Sequence, residues 1–318
     1  MISSVGDVYT SYTDEYGVEK FNELVSGEYE GIGCTIQLQE DGLRVIEVFK
    51  DSPSEKAGLK VDDYILKVDD IEVTQDTDVN ELSNYIKTQD DGKIKMIISR
   101  AGEEIELNLK RAKVETPVVS SLVYEKNGKK VGYLNISIFS SVASKQFKEK
   151  IEDLEKKGID SLVIDVRNNT GGYLTTVTDI ASQLLTKDKV IYQVEKDGNR
   201  EATKDKTNTK REYPIAILVN ENSASASEIL AGVIKESYKG FVVGTKTFGK
   251  GTVQQVKKLK DGSMIKYTVE NWLTPDGNWI DEKGIEPTHE IQMGEEYYNN
   301  PIVDNDSQLQ KALDLVSK

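Results

Sequence analysis

Apolar and polar positions along the chain follow two different rhythms. From residue 31 to residue 111, short apolar runs are separated by turn residues: GIGCTIQL, LRVIEVF, DYILKVDDIEV, KIKMIISR and EIELNLKR. This spacing predicts a small β-rich module. Within it Val79, Leu82 and Ile86 recur at helical spacing and predict a helix over 79–88, and a second helix is expected to begin near Ser54. Beyond about residue 125 the strands GYLNISIF, SLVIDV, YPIAILVN and FVVGTK alternate with helical patterns at 144–156, 175–185 and 226–237. That order predicts an α/β (α+β) core built around a sheet. No strong periodicity covers 113–125 and Pro117 interrupts it, so the boundary is expected there. The charged, Thr- and Asn-rich stretch 196–211 reads as a loop or exposed hairpin. Residues up to Gly27 are polar and Tyr-rich, with Val18, Phe21 and Val25 at helical spacing. The expected organisation is a lead-in segment at 1–27, a β-rich domain at 28–112 and a larger domain at 113–318.

A length of 318 residues suits two cores rather than one. The formal net charge of -14 argues against nucleic acid or an anionic membrane surface as the main partner, since both repel an acidic protein. Apolar stretches such as 162–164 and 215–219 are far short of the roughly 20 residues of a membrane span. The first residues lack a basic segment followed by an apolar one, so no signal peptide is read there. Cys34 is the only cysteine, which excludes an internal disulfide and a Cys-based zinc cluster.

The segment NENSASASEILAGVIKES follows the apolar strand IAILVN and enters a helix. Ser225 therefore occupies a strand-to-helix turn, where free N–H groups at the helix start lie close to a nucleophile. Ser225 and Glu228 equally match a capping box, which needs no chemistry. The single histidine, His289, lies in a polar segment after Pro287, so a Ser-His-Asp triad would have to recruit that one residue. Lysine is the known alternative base. Lys250, held between Gly249 and Gly251 after FVVGTK, is the candidate, although a Gly-Lys turn with a solvated ammonium has the same spelling. At a reference pKa near 10.4 only about 0.04 per cent of a lysine is neutral at pH 7, a handicap of roughly 4.6 kcal/mol. Burial must lower that pKa, so the ammonium is expected to be sequestered from water. The turn RNNTGGYL after SLVIDV offers Gly171 and Gly172, whose unhindered N–H groups suit an oxyanion; a plain turn at positive φ is the alternative.

In order, the motifs GEYEGIG, SPSEKAGLKVDDYILKVDD, RNNTGGYL, NENSASASEI, GTKTFGKGTVQQ, LTPDGNWIDEKGIEPT and DNDSQLQKAL make residues 7–313 resemble the carboxyl-terminal processing proteases, also called tail-specific proteases. The resemblance implies a mixed-sheet core of the crotonase-like kind carrying a small β-rich PDZ domain. It implies Ser225 as nucleophile, Lys250 as base and Gln254, four residues on, as the residue orienting the lysine. If that segment is extended, Lys250 and Gln254 share a face. It further implies an oxyanion hole from the N–H of Ala226 with one from the Gly171–Gly172 turn, Gly172 being favoured.

In the PDZ-like domain, Gly31, Ile32 and Gly33 would form the loop that captures a terminal carboxylate, with Ile32, Ile36 and Leu82 lining an apolar pocket or simply the core. Val61-Asp62-Asp63 replaces the usual Pro-Gly-Asp turn, and Asp70 a common Gly. The implied activity is endopeptidase cleavage near C-termini, with the PDZ domain recognising or gating tails, and without metal or organic cofactor. The implied partners are polypeptides with apolar or unfolded C-terminal tails, and a homodimer is allowed. The implied setting is extracytoplasmic, with the targeting segment and membrane anchor absent from this chain. Two other readings are a tail-binding adaptor on a silent protease-like scaffold and an enoyl-CoA hydratase-like enzyme; intact Ser225, Lys250 and Gln254 oppose the first, and no nucleotide-binding motif supports the second.

Overall fold

The computed structural model describes residues 6, 7, 9–88, 92–209 and 211–318. The chain divides into two compact units, Gly27–Pro117 and Met1–Ser26 with Val118–Lys318. The lead-in segment thus clusters with the larger unit. Its helix runs over Glu15–Ser26 with Val18 and Val25 buried; the Phe21 side chain lies outside those described.

In the smaller unit, the strands Cys34–Gln39, Gly42–Val48, Tyr64–Val68, Lys93–Arg100 and Glu103–Lys110 pair in that order, with Ile71–Glu72 added to Tyr64–Val68. Along Lys93–Arg100, Ile94, Met96 and Ile98 are buried and their neighbours face outward, the period-2 signature of a half-buried strand. They pack with Leu43, Val45, Ile65 and Val68, and with Leu82 and Ile86 from the helix Val79–Thr88. The short helix Pro53–Ala57 starts where the Ser52 hydroxyl accepts from the Glu55 N–H at 3.1 Å and stops at Gly58, φ 84°.

The larger unit is built on a mixed sheet. Val119–Lys126 and Lys129–Ile136 form an antiparallel pair; Ser161–Asp165, Ile215–Val219, Phe241–Gly244 and His289–Glu290 then follow in parallel. Weak alternation hid the strand Val119–Lys126, whose exposed Leu122 and Val123 break the inside–outside pattern. Ser161–Asp165 and Ile215–Val219 are buried throughout because both sheet faces are covered. Leu162, Ile164, Ile215 and Ile217 pack with residues of the helices Ala143–Lys156, Leu174–Leu184 and Ala226–Gly232. Val163, Ala216 and Leu218 pack with Leu309, Ala312 and Leu313 of the helix Ser307–Val316. Arg167 pins that helix, bridging Asp165 at 2.6 Å and the N-cap Asp306 at 2.8 Å. The helix read over 226–237 is α-helical to Gly232 and becomes a π-helix over Val233–Tyr238.

A second sheet surrounds Met264–Leu273, which pairs with Thr252–Lys258, with Val190–Lys196 and with the short N-terminal strand Ser11–Thr13. Val190–Lys196 and Asn199–Lys204 form a hairpin, which takes in the first part of the 196–211 stretch.

In the main sheet Ser161–Asp165, Ile215–Val219 and Phe241–Gly244 are adjacent and parallel, so their carboxyl ends lie on one edge. The loops holding Gly171–Gly172, Ser225 and Lys250 leave from that edge, where ligands of open α/β sheets gather.

Candidate active site

Ser225 stands at φ 55°, ψ -113°, outside the regions a non-glycine residue prefers. Such a conformation costs on the order of 1–3 kcal/mol and persists only where neighbours over-determine it. They do so here. The turn is tied down by Ser223, whose hydroxyl donates to the Val166 carbonyl at 2.8 Å and accepts from the Asn220 N–H at 2.9 Å. The Ala224 N–H and the Ser227 hydroxyl both donate to the Asn169 carbonyl, at 3.0 and 2.8 Å.

Asn169, fully buried, joins this turn to the glycine turn. Its Nδ2 donates to the Ile136 carbonyl at 2.7 Å and its Oδ1 accepts from the Gly171 N–H at 2.8 Å. Both glycines are sterically required. Gly171 (φ 109°) would place a Cβ 2.9 Å from the Ser225 Cβ, and one on Gly172 (φ 144°) would overlap the Phe139 carbonyl. The two turns are therefore in van der Waals contact. The two candidate glycine donors differ in consequence: the Gly171 N–H is committed to Asn169, whereas the bridge of Gly172 to Phe139 runs through the Gly171 carbonyl and the Tyr173 N–H and leaves the Gly172 N–H out. The Ala226 N–H is the first of its helix and has no intrahelical acceptor.

Glu228 links the nucleophile turn to the lysine loop. Its side chain is fully buried, and its carboxylate accepts four hydrogen bonds: from the Ser225 N–H at 2.8 Å, the Lys250 N–H at 2.9 Å, the Gly249 N–H at 2.7 Å and the Thr247 hydroxyl at 2.6 Å. Burial pushes its pKa up, and the four donors oppose that shift. The capping-box reading is thus correct for the Glu228 side chain, but the same carboxylate also closes the Lys250 loop.

Lys250 is half-buried between Gly249, at φ 91°, and Gly251, where a Cβ would overlap the backbone of Asp281. Burial lowers its pKa first, the nearby Lys266 ammonium second, and the Glu228 charge works the other way. Lys250 precedes the strand Thr252–Lys258, and the pairing with Met264–Leu273 slips between Val253 and Gln254. The residue skipped there, Val269, lies on the partner strand, so alternation along 252–256 is kept, and Lys250, Thr252, Gln254 and Val256 all line the same cleft. The Gln254 Nε2 donates to the Tyr9 carbonyl at 2.9 Å, and the Lys250 Nζ lies 5.3 Å from the centroid of the Tyr9 ring.

The cleft has a volume of about 500 Å³. Ser225, Lys250, Gln254, Gly171 and Gly172 share it with the apolar Ile138, Leu174, Val253 and Trp272. His289 is elsewhere, at the sheet edge with its ring 5.6 Å from that of Phe241.

The protein-family model for peptidase family S41 matches residues 130–291, a span that includes Ser225, Lys250, Gln254 and both turn glycines. The chain belongs to peptidase family S41. A PDZ domain matches residues 31–111. Over 305 residues the chain is 38% identical to the carboxy-terminal processing protease CtpB of Bacillus subtilis, covering 95% of this chain and 63% of that protein. It is 37% identical over 308 residues to CtpA of the same organism, covering 96% of this chain and 65% of the relative. The chain thus spans somewhat less than two thirds of these relatives. Among solved structures, the photosystem II D1 C-terminal processing protease has the same fold, with a TM-score of 0.56 at 24% identity, covering 100% of this chain and 84% of that one.

In the PDZ domain of this family S41 chain, the Gly31–Gly33 segment is partly structural. Gly31 ends the strand Glu28–Gly31, paired with Ala112–Glu115. The Ile32 side chain and Leu82 belong to the core, and Ile36 packs against it. Gly33, at φ 78°, lies against Ser52. Three residues of the larger unit escaped the sequence reading: Asn169, Glu228 as a link, and Tyr9. For Glu228 the capping box was the available signal; for Tyr9 nothing local marked it.

Proposed function

We propose that the chain is a serine endopeptidase that cuts polypeptides near their C-termini through a Ser225–Lys250 dyad, with the PDZ domain recognising or gating the tail. The observation that carries this reading is the Glu228 carboxylate, which accepts from the backbone N–H of both Ser225 and Lys250 and so fixes two loops on one cleft. A scaffold needing neither residue would have no use for a strained serine and a desolvated lysine on one cleft.

In this reading neutral Lys250 takes the proton of the Ser225 hydroxyl as its oxygen attacks the scissile carbonyl. The tetrahedral oxyanion is met by the N–H groups of Ala226 and Gly172, the donors not committed elsewhere. Lys250 then returns the proton to the leaving amine. Water repeats the sequence on the acyl-enzyme. Gln254 orients Lys250 through its amide. The lowered pKa of Lys250 reduces the handicap of a lysine base at neutral pH. Gly31, Ile32 and Gly33 take the terminal carboxylate of an apolar or unfolded tail. An extracytoplasmic setting and a homodimer belong to the same reading through the family resemblance. No helix among the described residues is long and apolar enough to cross a membrane.

The test is cleavage of an unfolded protein with an apolar C-terminus by the intact chain, Ser225→Ala and Lys250→Ala. Activity in the first and loss in both variants, each still folded, is the expected result. Full activity in Lys250→Ala rules out the dyad, and tail binding without cleavage by the intact chain favours an adaptor.

A further inference from the structure

Before the first helix, Asp7, Tyr9 and Thr10 are tied together by hydrogen bonds close to the cleft. The Asp7 carboxylate accepts from the Tyr9 N–H at 3.0 Å and from the Thr10 hydroxyl at 2.5 Å, and the Thr10 N–H donates to the Asp7 carbonyl at 3.3 Å. These bonds form an Asx-type turn. Immediately after it, Ser11–Thr13 pairs antiparallel with residues 264–266 of the strand Met264–Leu273, so the turn is anchored on both sides. Met264–Leu273 also carries Thr252–Lys258, and with it Gln254.

Tyr9 reaches the cleft through two groups. Its carbonyl accepts from the Gln254 Nε2 at 2.9 Å. An amide has one donor end and one acceptor end, so engaging Nε2 there turns Oε1 away from Tyr9 and leaves it as the acceptor available to an ammonium. Its ring lies 5.3 Å from the Lys250 Nζ, within the range at which the negative face of an aromatic ring attracts a cation. The phenol stays neutral, because burial first, and then Asp281, Glu228 and Glu282, raise its pKa.

We infer that Tyr9 is a positioning residue for the lysine base: its carbonyl sets the orientation of the Gln254 amide, and its ring holds the Lys250 head in the cleft. The inference rests on the reading of Lys250 as base. It makes Tyr9 and the strand Ser11–Thr13 that anchors it part of the reaction machinery rather than a lead-in. Among the described residues, the charged groups acting on Lys250 are Lys266 from the neighbouring strand and Glu228 from the Ser225 helix, and those acting on the Tyr9 ring beside it are Asp281, Glu228, Glu282 and Asp7. Of the ring and these groups, the ring alone can be exchanged for an apolar group of similar bulk without changing formal charge at neutral pH.

Tyr9→Leu keeps Lys250 covered but removes the attraction that favours the ammonium. The pH profile of kcat/KM should therefore keep its shape while its acid-limb midpoint moves down by roughly 0.5–1 pH unit. Plateau kcat should fall about tenfold, with KM within about twofold, as expected when a reacting group is displaced and substrate binding is untouched. Tyr9→Phe should match the wild type in all three. Wild-type midpoint and plateau in Tyr9→Leu overturn the inference, as does an equal loss in Tyr9→Phe. Lys250→Ala is run in parallel: if it retains activity, the base assignment itself falls; if it is inactive while Tyr9→Leu behaves as wild type, only the role of Tyr9 falls. An independent measurement needs no variant fold. In wild-type protein, the Lys250 Cε protons should show an upfield ring-current shift in NMR spectra, and its absence overturns the placement of the ring.

Discussion

The Glu228 carboxylate and the Lys250 backbone N–H are joined at 2.9 Å across 22 residues of sequence, while the other hydrogen bond of the same oxygen runs 2.8 Å to the Ser225 N–H. One buried side chain therefore sets the conformations of two loops. Glu228→Gln tests this. Whichever way the new amide faces, its NH₂ group meets backbone N–H donors, Gly249 on one side or Ser225 and Lys250 on the other, and leaves them unsatisfied at about 1–3 kcal/mol each. Peptidase activity should fall by about 100-fold, and the melting temperature should drop. The charge is also removed. Since Glu228 raises the pKa of Lys250, whatever activity remains should show its acid-limb midpoint at lower pH than the wild type.

Lys250 carries a linkage effect of its own. Its folded pKa lies below the ordinary lysine value, so the folded chain binds fewer protons there than the unfolded chain. Its contribution to stability consequently rises with pH between the folded and the unfolded pKa, and the cost of the buried ammonium is fully present below the folded one. Lys250→Met should be inactive yet melt a few degrees higher at neutral pH. That advantage should shrink as pH approaches the ordinary lysine range. Calorimetry across pH 6–10 gives the answer, and a lower melting point for the variant at every pH would show the ammonium to be no burden.

The glycine turn should tolerate no side chain. Gly172→Ala forces a Cβ onto the Phe139 carbonyl at φ 144°, and Gly171→Ala presses on Ser225 at φ 109°. Each should cost about 2–4 kcal/mol in urea unfolding. Gly171→Ala should also lower kcat disproportionately, because its neighbour is the strained serine.

Arg167 is the stability test remote from the cleft. Its guanidinium, raised further from neutrality by Asp165 and Asp306 despite burial, connects the sheet to the last helix. Arg167→Ala leaves two buried carboxylates facing each other and should destabilise by about 3–5 kcal/mol. Urea titration would detect it, and a change under about 1 kcal/mol would mean that the helix docks by apolar packing alone.

If the PDZ domain reads a terminal carboxylate, C-terminal amidation of a substrate tail should raise KM while leaving kcat nearly unchanged when substrate is saturating. Equal KM for acid and amide would remove Gly31–Gly33 from tail recognition.

Much of this molecule was legible in one dimension. Alternating Ile94, Met96 and Ile98 announced a half-buried strand, and Val79, Leu82 and Ile86 a helix, because burial on one face repeats at the period of the backbone itself. The succession of strand and helix announced the larger core, and small residues at Gly171, Gly172, Gly249 and Gly251 marked where backbones approach closely. Ordered motifs pointed to Ser225, Lys250 and Gln254. The tertiary structure alone decided how those parts meet. Three neighbouring parallel strands bring distant loops to one sheet edge. Alternation puts Gln254 on the cleft side of its strand, and the fold alone brings Ser225 to the same cleft. Glu228 spells a local cap in sequence, yet its bond to the Lys250 N–H spans 22 residues. Tyr9 lies 245 residues from Gln254 in the chain and 2.9 Å from it in space. No periodicity encodes such proximities, because they depend on which strands pair, and pairing is settled by the burial of whole sheets.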